Sequence, residues 1–491
     1  MKRWMCIWLA VCVSVTALFC APAVRAEQAQ PRVTWGDPNG DGTVNAADAL
    51  TALRCAVGKL APGGLVLSAC DVDCSDTVDA ADALQMLKTA VGKQTAFDPV
   101  GMRGNTYLIG TAYPSRYSED TAYGRAMLQA IANAEAALGV TIEVQKLEAD
   151  DPLWMYDLLE LPAHQCRGYA RSGAVRDFAQ NAALSDSMRT GCSALACAMG
   201  NGQYGAGSPA MGANAMGLAI NADLLARYAP TAYAALGDQF EDGTWTWEAL
   251  DALIAEYRTN KPRSSVLMSN TNIIGQAIVS NAGYEVAFLP DGSRAVCSIA
   301  SPEGIQAMEY IKGMYNSGAW QYEDNVNEMA VAFREQQVPI VVYYLSEAGI
   351  WAWDAGFTLT AMPFPKGPKQ QDYVMSTFNA AVFTCPAGQT EPANGTALVL
   401  NALAEADAAL AAAQTADMAE RGFDRAGQAV FAWAAAHTSP DFSTGPFDGA
   451  VGGPVDGSVL TPSQKPATVL PRIADLIQQQ VDAYYGMFYR R

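Results

Sequence analysis

Two stretches near the start of the chain have almost the same sequence, DPNGDGTVNAADALTALRCAVGK from Asp37 and DVDCSDTVDAADALQMLKTAVGK from Asp71. In each stretch, oxygen-bearing side chains alternate with other residues and are followed by alanine and leucine at helical spacing. Such a direct repeat constrains the fold strongly, because both copies must form the same loop followed by the same helix.

The alternating oxygen-bearing side chains are typical of a calcium-binding loop. Calcium takes about six to eight oxygen ligands, and a loop can supply them from alternate side chains and one backbone carbonyl. We expect the second loop to hold its ion more weakly, because Ser75 replaces an acid and Asp76 replaces the glycine that favours a sharp turn. The predicted Ca²⁺ ligands are Asp37, Asn39, Asp41, Thr43, Asn45 and Asp48 in the first loop, and Asp71, Asp73, Ser75, Thr77, Asp79 and Asp82 in the second.

Residues 33–95, a duplicated loop and helix with Asp at the last ligand position instead of the usual Glu, resemble a type I dockerin. The resemblance implies a small all-α module that binds a cohesin domain of a scaffold protein in a calcium-dependent manner. Because the residues that would contact cohesin are nearly the same in both repeats, either repeat could face the partner. The alternative is a calcium-stabilised fold without a partner. The implied cohesin-binding residues are Ala46, Ala47, Leu53 and Arg54, and in the second repeat Ala80, Ala81, Leu87 and Lys88.

The first 26 residues predict a secretory signal peptide. Lys2 and Arg3 precede an apolar segment, residues 4–19, which is shorter than the roughly 20 residues of a membrane-spanning helix. Phe19 precedes Cys20, whereas a lipidated cysteine follows a small residue. We therefore expect an extracellular protein without a lipid anchor, associated with a cell surface through its dockerin.

The charge and the cysteine and histidine content exclude two classes of function. A net charge of −19 leaves no basic patch that could displace the counterions of phosphate groups, so nucleic acid is not an expected partner. With only two histidines, a zinc site built from Cys and His is not expected. Eight cysteines follow the signal peptide; disulfides and buried thiols are both open, because spacing alone assigns no pairs.

Residues 105–491 have the pattern of an α/β fold, after a predicted linker at residues 96–104. The segment NTYLIGTAY is typical of a strand, and apolar residues three and four apart from Tyr123 to Leu138 predict an amphipathic helix that ends at Gly139. The next segment, VTIEVQ, alternates as a strand does. A strand, a helix and a strand of these lengths predict a βαβ unit in a parallel sheet.

The order of the later segments resembles that of the extracellular solute-binding proteins of ABC importers, particularly the family that binds oligosaccharides. The resemblance implies two lobes that close over a ligand, and an ABC permease as a partner. The chain departs from the family in two ways: we see no lipidation site, and residues 441–491 fit the family's pattern poorly. Lobe 1 would comprise about 105–213 and 373–491, and lobe 2 about 214–372. The matching segments are Asn221–Leu224, Thr246–Leu250, Phe333–Gln336 and Met362–Gly367.

Aromatic side chains that we expect to be solvent-accessible in loops are the candidates for contact with a sugar. Proteins bind sugars by stacking aromatic rings on C–H faces and by placing a few fixed polar groups. Glu347, Trp351 and Trp353 follow a buried strand, where ligands bind in α/β folds. For any single tryptophan, packing in the core is the alternative. The candidate ligand-binding residues are Trp351, Trp353, Glu347, Trp433, Tyr204, Trp320 and Trp154.

These features together predict a secreted carbohydrate-binding protein without enzymatic activity. The main alternative is a dockerin-bearing glycoside hydrolase or another carbohydrate-active enzyme of a cellulosome-like complex. Hydrolysis needs two carboxylates about 5–10 Å apart, but no local motif pairs two acids, and the chain has no GxSxG motif. A third possibility is a scaffold subunit without a ligand.

Overall fold

The computed structural model describes residues 33–212, 215–289, 291–377, 380–388, 394–440 and 452–489. The predicted signal peptide, residues 1–26, lies outside the described residues. Residues 441–451, at the start of the segment that fits the family pattern poorly, also lie outside them.

The amino-terminal module is all-α, and the two repeated helices begin in the same way. Asn45 accepts a hydrogen bond from the N–H of Ala47 at 2.7 Å, while Asp48 accepts one from the N–H of Asn45 at 2.8 Å. This reciprocal pair satisfies N–H groups that a helix start leaves open, and the second repeat forms the same capping box at Asp79. A short helix between the repeats was not anticipated from the sequence. The helices are α1 (Ala46–Ala56), α2 (Gly64–Cys70) and α3 (Ala80–Ala90).

The predicted linker is not extended. Residues Val100–Met102 form a 3₁₀ turn, and the side chain of Met102 is fully buried. The N–H of Gly101 donates to the carbonyl of Asp73 at 2.8 Å, so this segment packs on the second calcium loop.

The α/β part of the chain begins with the predicted βαβ unit. The first elements of the α/β part are β1 (Thr106–Thr111), α4 (Ala122–Leu138), β2 (Thr141–Lys146), β3 (Leu158–Pro162), α5 (Ala163–Ser172), α6 (Ser187–Thr190), α7 (Cys192–Leu195), β4 (Ala198–Met199), β5 (Gly202–Gln203) and α8 (Pro209–Gly212). Thr121 caps the start of α4, and Gly139, at φ +69°, ends it.

A second set of alternating elements follows. These are β6 (Met216–Asn221), α9 (Ala222–Tyr228), α10 (Pro230–Glu241), α11 (Trp247–Asn260), β7 (Leu267–Ser269), α12 (Asn272–Ala282), β8 (Val286–Phe288), β9 (Ala295–Cys297), α13 (Pro302–Ser317), β10 (Trp320–Tyr322), α14 (Val326–Arg334), β11 (Ile340–Tyr344), α15 (Leu345–Trp351) and β12 (Leu359–Met362). The remaining elements are β13 (Met375–Thr377), β14 (Ala381–Thr384), α16 (Asn394–Ala404), α17 (Asp407–Glu420), α18 (Arg425–His437), β15 (Thr438–Pro440), α19 (Gly452–Leu460) and α20 (Pro466–Tyr485).

Two sheets organise the α/β part into two lobes. Among the described residues, β14, β3, β1 and β2 form the first sheet in that order, and β10, β7, β11, β6 and β12 form the second. β1 is parallel to both β2 and β3, so the predicted βαβ unit is confirmed. β14 runs antiparallel to β3 and returns the chain to the first sheet after the second has been built. Each sheet has its own core, with Ile109 and Leu158 in the first lobe and Leu218 and Val342 in the second.

Helices α16, α17 and α18 connect the lobes. α16 and α17 pack on α4 of the first lobe, and α18 packs on β12 of the second. Among the described residues, no single helix has the length and apolar character needed to cross a membrane, although α16 and α17 pass that test as a pair bent by 53°.

The carboxyl-terminal helices differ from the sequence-based expectation, which assigned all of residues 373–491 to the first lobe. α19 and α20 pack on α13 in the second lobe. The reason is the amphipathic pattern of α20, which buries Leu470 and Ile477 in the core of that lobe. The Lys312 ammonium on α13 also donates to three backbone carbonyls at the end of α19, at 2.9–3.2 Å, where the helix dipole favours a cation.

The cysteines left open by the sequence are in the thiol form. Cys55 and Cys297 are half-buried, and the six others are buried. The thiol of Cys166 donates to the carbonyl of Tyr204 at 3.3 Å, and the thiol of Cys197 donates to the carbonyl of Ala163 at 3.6 Å.

Candidate functional site

The first calcium loop brings three carboxylates together. Oxygen atoms of Asp37, Asp41 and Asp48 all lie within 4.8 Å of one another. Asp37 also holds the turn of the loop, because its carboxylate accepts hydrogen bonds from the N–H groups of Gly40 at 2.8 Å and Gly42 at 2.7 Å. Gly42 has a φ of +85°, which a side chain would strain.

The remaining predicted ligands of this loop, Asn39, Thr43 and Asn45, are all hydrogen-bonded to Asp41. The Asn45 amide donates to Asp41 at 3.0 Å and to the carbonyl of Thr43 at 3.2 Å, and the Asn39 oxygen accepts from the N–H of Asp41. Asp48 Oδ1 is buried and has no hydrogen-bond partner among the described residues. A buried acceptor without a donor is costly, and a cation between the carboxylates would satisfy it.

The second loop has a more buried set of carboxylates. Oxygen atoms of Asp71, Asp73 and Asp82 lie within 4.8 Å of one another, and all three residues are buried. Burial, followed by the repulsion of neighbouring carboxylates, raises the pKa of Asp71 to about 8. Burial also raises the pKa of Asp82 to about 6. A divalent cation between these carboxylates would offset both the cost of their burial and their mutual repulsion, so the site fits such an ion.

The departures in the second loop are visible in its hydrogen bonds. The N–H of Ser75 donates to Asp71 at 3.1 Å and to Asp73 at 3.0 Å, while its hydroxyl donates to the carbonyl of Thr77, a predicted calcium ligand. Asp76 has a φ of +62°, the left-handed conformation that glycine adopts most easily. Asp79 caps α3, as Asn45 caps α1. Both donor sets fit calcium, since they consist of hard oxygen atoms.

The residues predicted to contact cohesin are exposed. Ala46, Ala47, Leu53 and Arg54 on α1, and Ala80, Ala81, Leu87 and Lys88 on α3, all face solvent. Four further exposed apolar residues extend the same faces at matching positions of the repeats: Leu50, Val57, Leu84 and Val91. The sequence analysis missed them, although the 34-residue offset between Leu50 and Leu84 could have identified them.

A cavity of about 400 Å³ lies between the two lobes. It is lined from the first lobe by Tyr113, Ser115, Arg116, Thr121, Tyr123 and Ala381, from the second by Ser346, Glu347, Ile350 and Trp353, and from α17 and α18 by Gln414, Asp417, Met418, Arg421 and Phe431. We call it the cleft. A second cavity of about 360 Å³ adjoins it, because Trp353 and Arg421 line both.

A buried ionic network supports the first-lobe wall of the cleft. Glu160, which is fully buried on β3, accepts hydrogen bonds from Arg116 and Thr111 at 2.6 Å and from Tyr117 at 2.9 Å. Arg116 also donates to the hydroxyl of Tyr123. Because every charge in this network has partners, it can stay fixed while the cleft takes up a polar ligand.

Two further charged residues lie where α17 meets the cleft. Asp417 accepts hydrogen bonds from the N–H groups of Ala122 at 2.6 Å and Tyr123 at 3.0 Å, at the start of α4. Arg421 donates to the carbonyl of Ser346 at 3.1 Å, and its burial lowers the pKa of the guanidinium. Asp417 therefore positions a helix, and Arg421 connects α17 to the second-lobe wall.

Among the described lining residues of the cleft, the hydroxyl of Tyr113 is the one buried side-chain polar atom without a hydrogen-bond partner. It is buried and has no hydrogen-bond partner in the described part of the chain. Its pKa is raised by burial and then by Glu160, while Arg116 opposes the shift and Glu347 adds to it. Tyr113 was not among the predicted ligand-binding residues, although it lies two residues after the end of the parallel strand β1, where α/β folds place ligand-binding residues.

The structure brings two of the predicted ligand-binding residues to the cleft. Glu347 and Trp353 line it from the second lobe, and Trp353 is 49% exposed. Trp351 lies near them but its ring packs on Tyr343, with ring centroids 4.8 Å apart.

The other candidates lie outside the linings of both cavities. Trp433 stacks on His437 with centroids 4.2 Å apart, and Tyr204 packs edge-on against Phe488. Trp154 is 71% exposed. The prediction that Trp320 is an accessible loop residue is wrong: it lies on β10 and is 1% exposed, because the strand turns its indole into the core of the second lobe.

The fold is similar to that of several solved proteins, two of which are described as a receptor solved with acarbose and as a cyclic alpha-maltosyl-1,6-maltose binding protein. The GacH receptor of Streptomyces glaucescens, solved unliganded and with acarbose, matches with a TM-score of 0.51 at 15% identity over 78% of this chain and 99% of that chain. The cyclic alpha-maltosyl-1,6-maltose binding protein of Arthrobacter globiformis matches with a TM-score of 0.53 at 15% identity, over 77% of this chain and 98% of that chain. UspC of M. tuberculosis matches with a TM-score of 0.53 at 15% identity, over 76% of this chain and 100% of that chain. The α/β part therefore has the two-lobed fold of extracellular solute-binding proteins.

The amino-terminal module is identified by its sequence. Residues 35–90 match the family model for the dockerin type I domain. The chain is thus a dockerin followed by a protein with the solute-binding fold, as the sequence predicted. No curated protein matches the chain significantly in sequence.

Proposed function

We propose that this protein is a secreted oligosaccharide-binding protein of the ABC-importer type, attached through its calcium-dependent dockerin to a cohesin-bearing scaffold or surface. The observation that carries the proposal is the cleft, in which an exposed indole, Trp353, faces polar groups from the opposite lobe. Sugars need this combination of an apolar face and fixed hydrogen-bonding groups. An ABC permease is a further proposed partner.

The size and division of the cleft support a ligand of more than one sugar unit. Trp353 and Arg421 line both the cleft, of about 400 Å³, and the adjoining cavity of about 360 Å³. An indole between two cavities can stack on one sugar ring while the neighbouring ring occupies the adjoining space.

The enzymatic alternative is less well supported by the cleft. Its described acidic lining residues are Glu347 and Asp417, and both oxygens of Asp417 accept backbone N–H groups of α4. Because both of its oxygens already accept hydrogen bonds from the start of α4, Asp417 is poorly placed to act on a ligand in the cleft. We therefore propose binding without hydrolysis.

The test uses the full chain and a panel of oligosaccharides, with binding measured by calorimetry and products by chromatography. We expect at least one oligosaccharide to bind without cleavage, and Trp353→Ala to weaken it by roughly tenfold or more through the lost stacking area. Trp154→Ala is the matched control, because Trp154 is exposed but lies outside both cavity linings. Product release at enzymatic rates, or equal losses in both variants, would contradict the proposal.

The dockerin half of the proposal needs its own test. We expect binding to a panel of cohesin domains in calcium and its loss in a chelator, since the loops supply the ligands that hold α1 and α3 in place. A chain that binds two calcium ions but no cohesin of the panel would favour the alternative of a calcium-stabilised module without a partner.

A further inference from the structure

The dockerin packs against the first lobe through α2, the second calcium loop and the segment that follows α3. Cys74 of the second loop lies in the same apolar core as Met102 of the linker and Ile109 of the first lobe. Residues 71–74 of this loop are all buried, whereas Asn39 of the first loop, at the position equivalent to Asp73, is exposed. The two calcium loops therefore have different surroundings despite their nearly identical sequences.

One side chain of the solute-binding part contacts the second calcium loop directly. Asn394, the first residue of α16, is fully buried. Its amide donates to the backbone carbonyl of Asp71 at 2.7 Å and lies 3.4 Å from the carboxylate oxygen Oδ2 of the same residue. Asp71 supplies the first predicted calcium ligand of the loop, so Asn394 lies directly behind that ligand.

The same asparagine is tied to α2. Its amide also donates to the carbonyl of Ser68 at 2.8 Å, and its oxygen accepts from the Ser68 hydroxyl at 2.6 Å. That hydroxyl in turn accepts from the N–H of Ala182 at 2.9 Å. Three segments thus meet in one buried polar cluster, and buried polar groups of this kind are costly to leave unpaired.

We propose that Asn394 is a positioning residue for the second calcium ion, and that calcium in this loop holds the dockerin against the first lobe. The inference rests on the proposed calcium binding of the dockerin. A hydrogen-bonded group behind a metal ligand fixes the ligand's orientation, and its removal typically costs about 10- to 100-fold in metal affinity. By linkage, the ion must stabilise the contact as much as the contact stabilises the bound ion.

The first experiment measures calcium binding to the full chain by titration calorimetry. In Asn394→Ala we expect one of two calcium affinities to fall by roughly 10-fold or more, with the other unchanged. The matched control is Asn401→Ala on the same helix, whose amide hydrogen-bonds Ser185 and Ala183 within the first lobe. Unchanged affinities in Asn394→Ala would overturn the inference while leaving calcium binding intact; no calcium binding by the unmodified chain would overturn both proposals.

The second experiment approaches the coupling from the calcium side and does not depend on how Asn394→Ala folds. Hydrogen exchange of residues 394–404 is compared with and without calcium in Asp82→Asn and in Asp48→Asn, which are equivalent positions of the two loops. We expect calcium to slow exchange in α16 in the unmodified chain and in Asp48→Asn, but not in Asp82→Asn. Equal responses in the two variants would overturn the inference.

Discussion

At the scale of single residues, the hydroxyl of Tyr113 offers the sharpest test of the cleft. It is buried without a partner among the described residues, so a ligand hydroxyl could complete its hydrogen bonding. We expect Tyr113→Phe to weaken oligosaccharide binding by about 3- to 10-fold, the loss of about one hydrogen bond, without lowering the stability of the ligand-free chain.

Tyr117 provides the contrast for this prediction, because its hydroxyl is already bonded to Glu160 inside the protein. Tyr117→Phe should lower the melting temperature of the ligand-free chain, since it removes a donor from a buried carboxylate. Calorimetry and thermal unfolding separate the two effects. If Tyr113→Phe destabilises the chain and leaves the affinity unchanged, its hydroxyl has a structural role instead.

At the residue scale, strand position brings two of the candidate ligand-binding residues to the cleft, where their role stays a prediction. Glu347 and Trp353 were chosen because they follow a buried strand, and they line the cleft. Trp320 was misplaced because three-residue strands carry too little alternation to show which side chain points inward. Tyr113 could not be recognised as unusual, because an unpaired hydroxyl is a property of the tertiary structure.

At the scale of elements, the second calcium loop should show a marked pH dependence. Without calcium, the pKa of Asp71 is raised to about 8 and that of Asp82 to about 6, against a usual value near 3.8. A raised pKa contributes stability below about pH 4, and this contribution is lost as the pH rises through the folded-state values. Calcium restores it by neutralising the ionised carboxylates.

We therefore expect the rise in melting temperature caused by calcium to be larger at pH 8 than at pH 5, where protons compete with the ion. Thermal unfolding of the full chain, with calcium or with a chelator at both pH values, checks this. Asp82→Asn should reduce the difference between the two pH values. A calcium effect that is the same at both would contradict the prediction.

Two exposed leucines at equivalent positions of α1 and α3 allow a test of whether either repeat can bind cohesin. Leu53 and Leu87 are each 38% exposed at equivalent positions of α1 and α3. If either repeat can face cohesin, Leu53→Asp and Leu87→Asp should each bind with little loss, while the double variant should lose about 100-fold or more through a buried charge. Leu195→Asp, an exposed leucine outside the dockerin, is the control. Full loss in one single variant would show that only one repeat binds.

Element-scale prediction worked best for the repeats, because a capping residue, a ligand pattern and an apolar spacing agree in each copy. Helix α2 was missed because its seven residues, GLVLSAC, carry no charged face and no side-chain cap. Its formation depends on burial of Ser68 and Cys70 against neighbouring elements, which the local sequence does not reveal.

At the scale of the whole molecule, segment order predicted the two-lobed fold, whereas contacts between distant segments could not be read from the sequence. The packing of α19 and α20 on the second lobe depends on Lys312 and a buried face more than 100 residues away in the chain. The contact between the dockerin and the first lobe likewise involves Asn394, which lies far along the chain from the loop residue Asp71 that it contacts. Neither residue belongs to a motif.

The final prediction concerns the independence of the two binding sites. Among the described residues, none lines both the cleft and the exposed faces of α1 and α3, and the dockerin contacts the first lobe at α16 instead of at the cleft. Coupling between sites requires a ligand to bind two conformations differently, and cohesin would contact faces that the solute-binding part leaves open. We expect the oligosaccharide affinity of the full chain to change by less than about 2-fold when cohesin is bound, measured by calorimetry with and without saturating cohesin. A change of about 10-fold or more would mean that cohesin binding alters the lobes, and that scaffold attachment regulates sugar capture instead of only locating it.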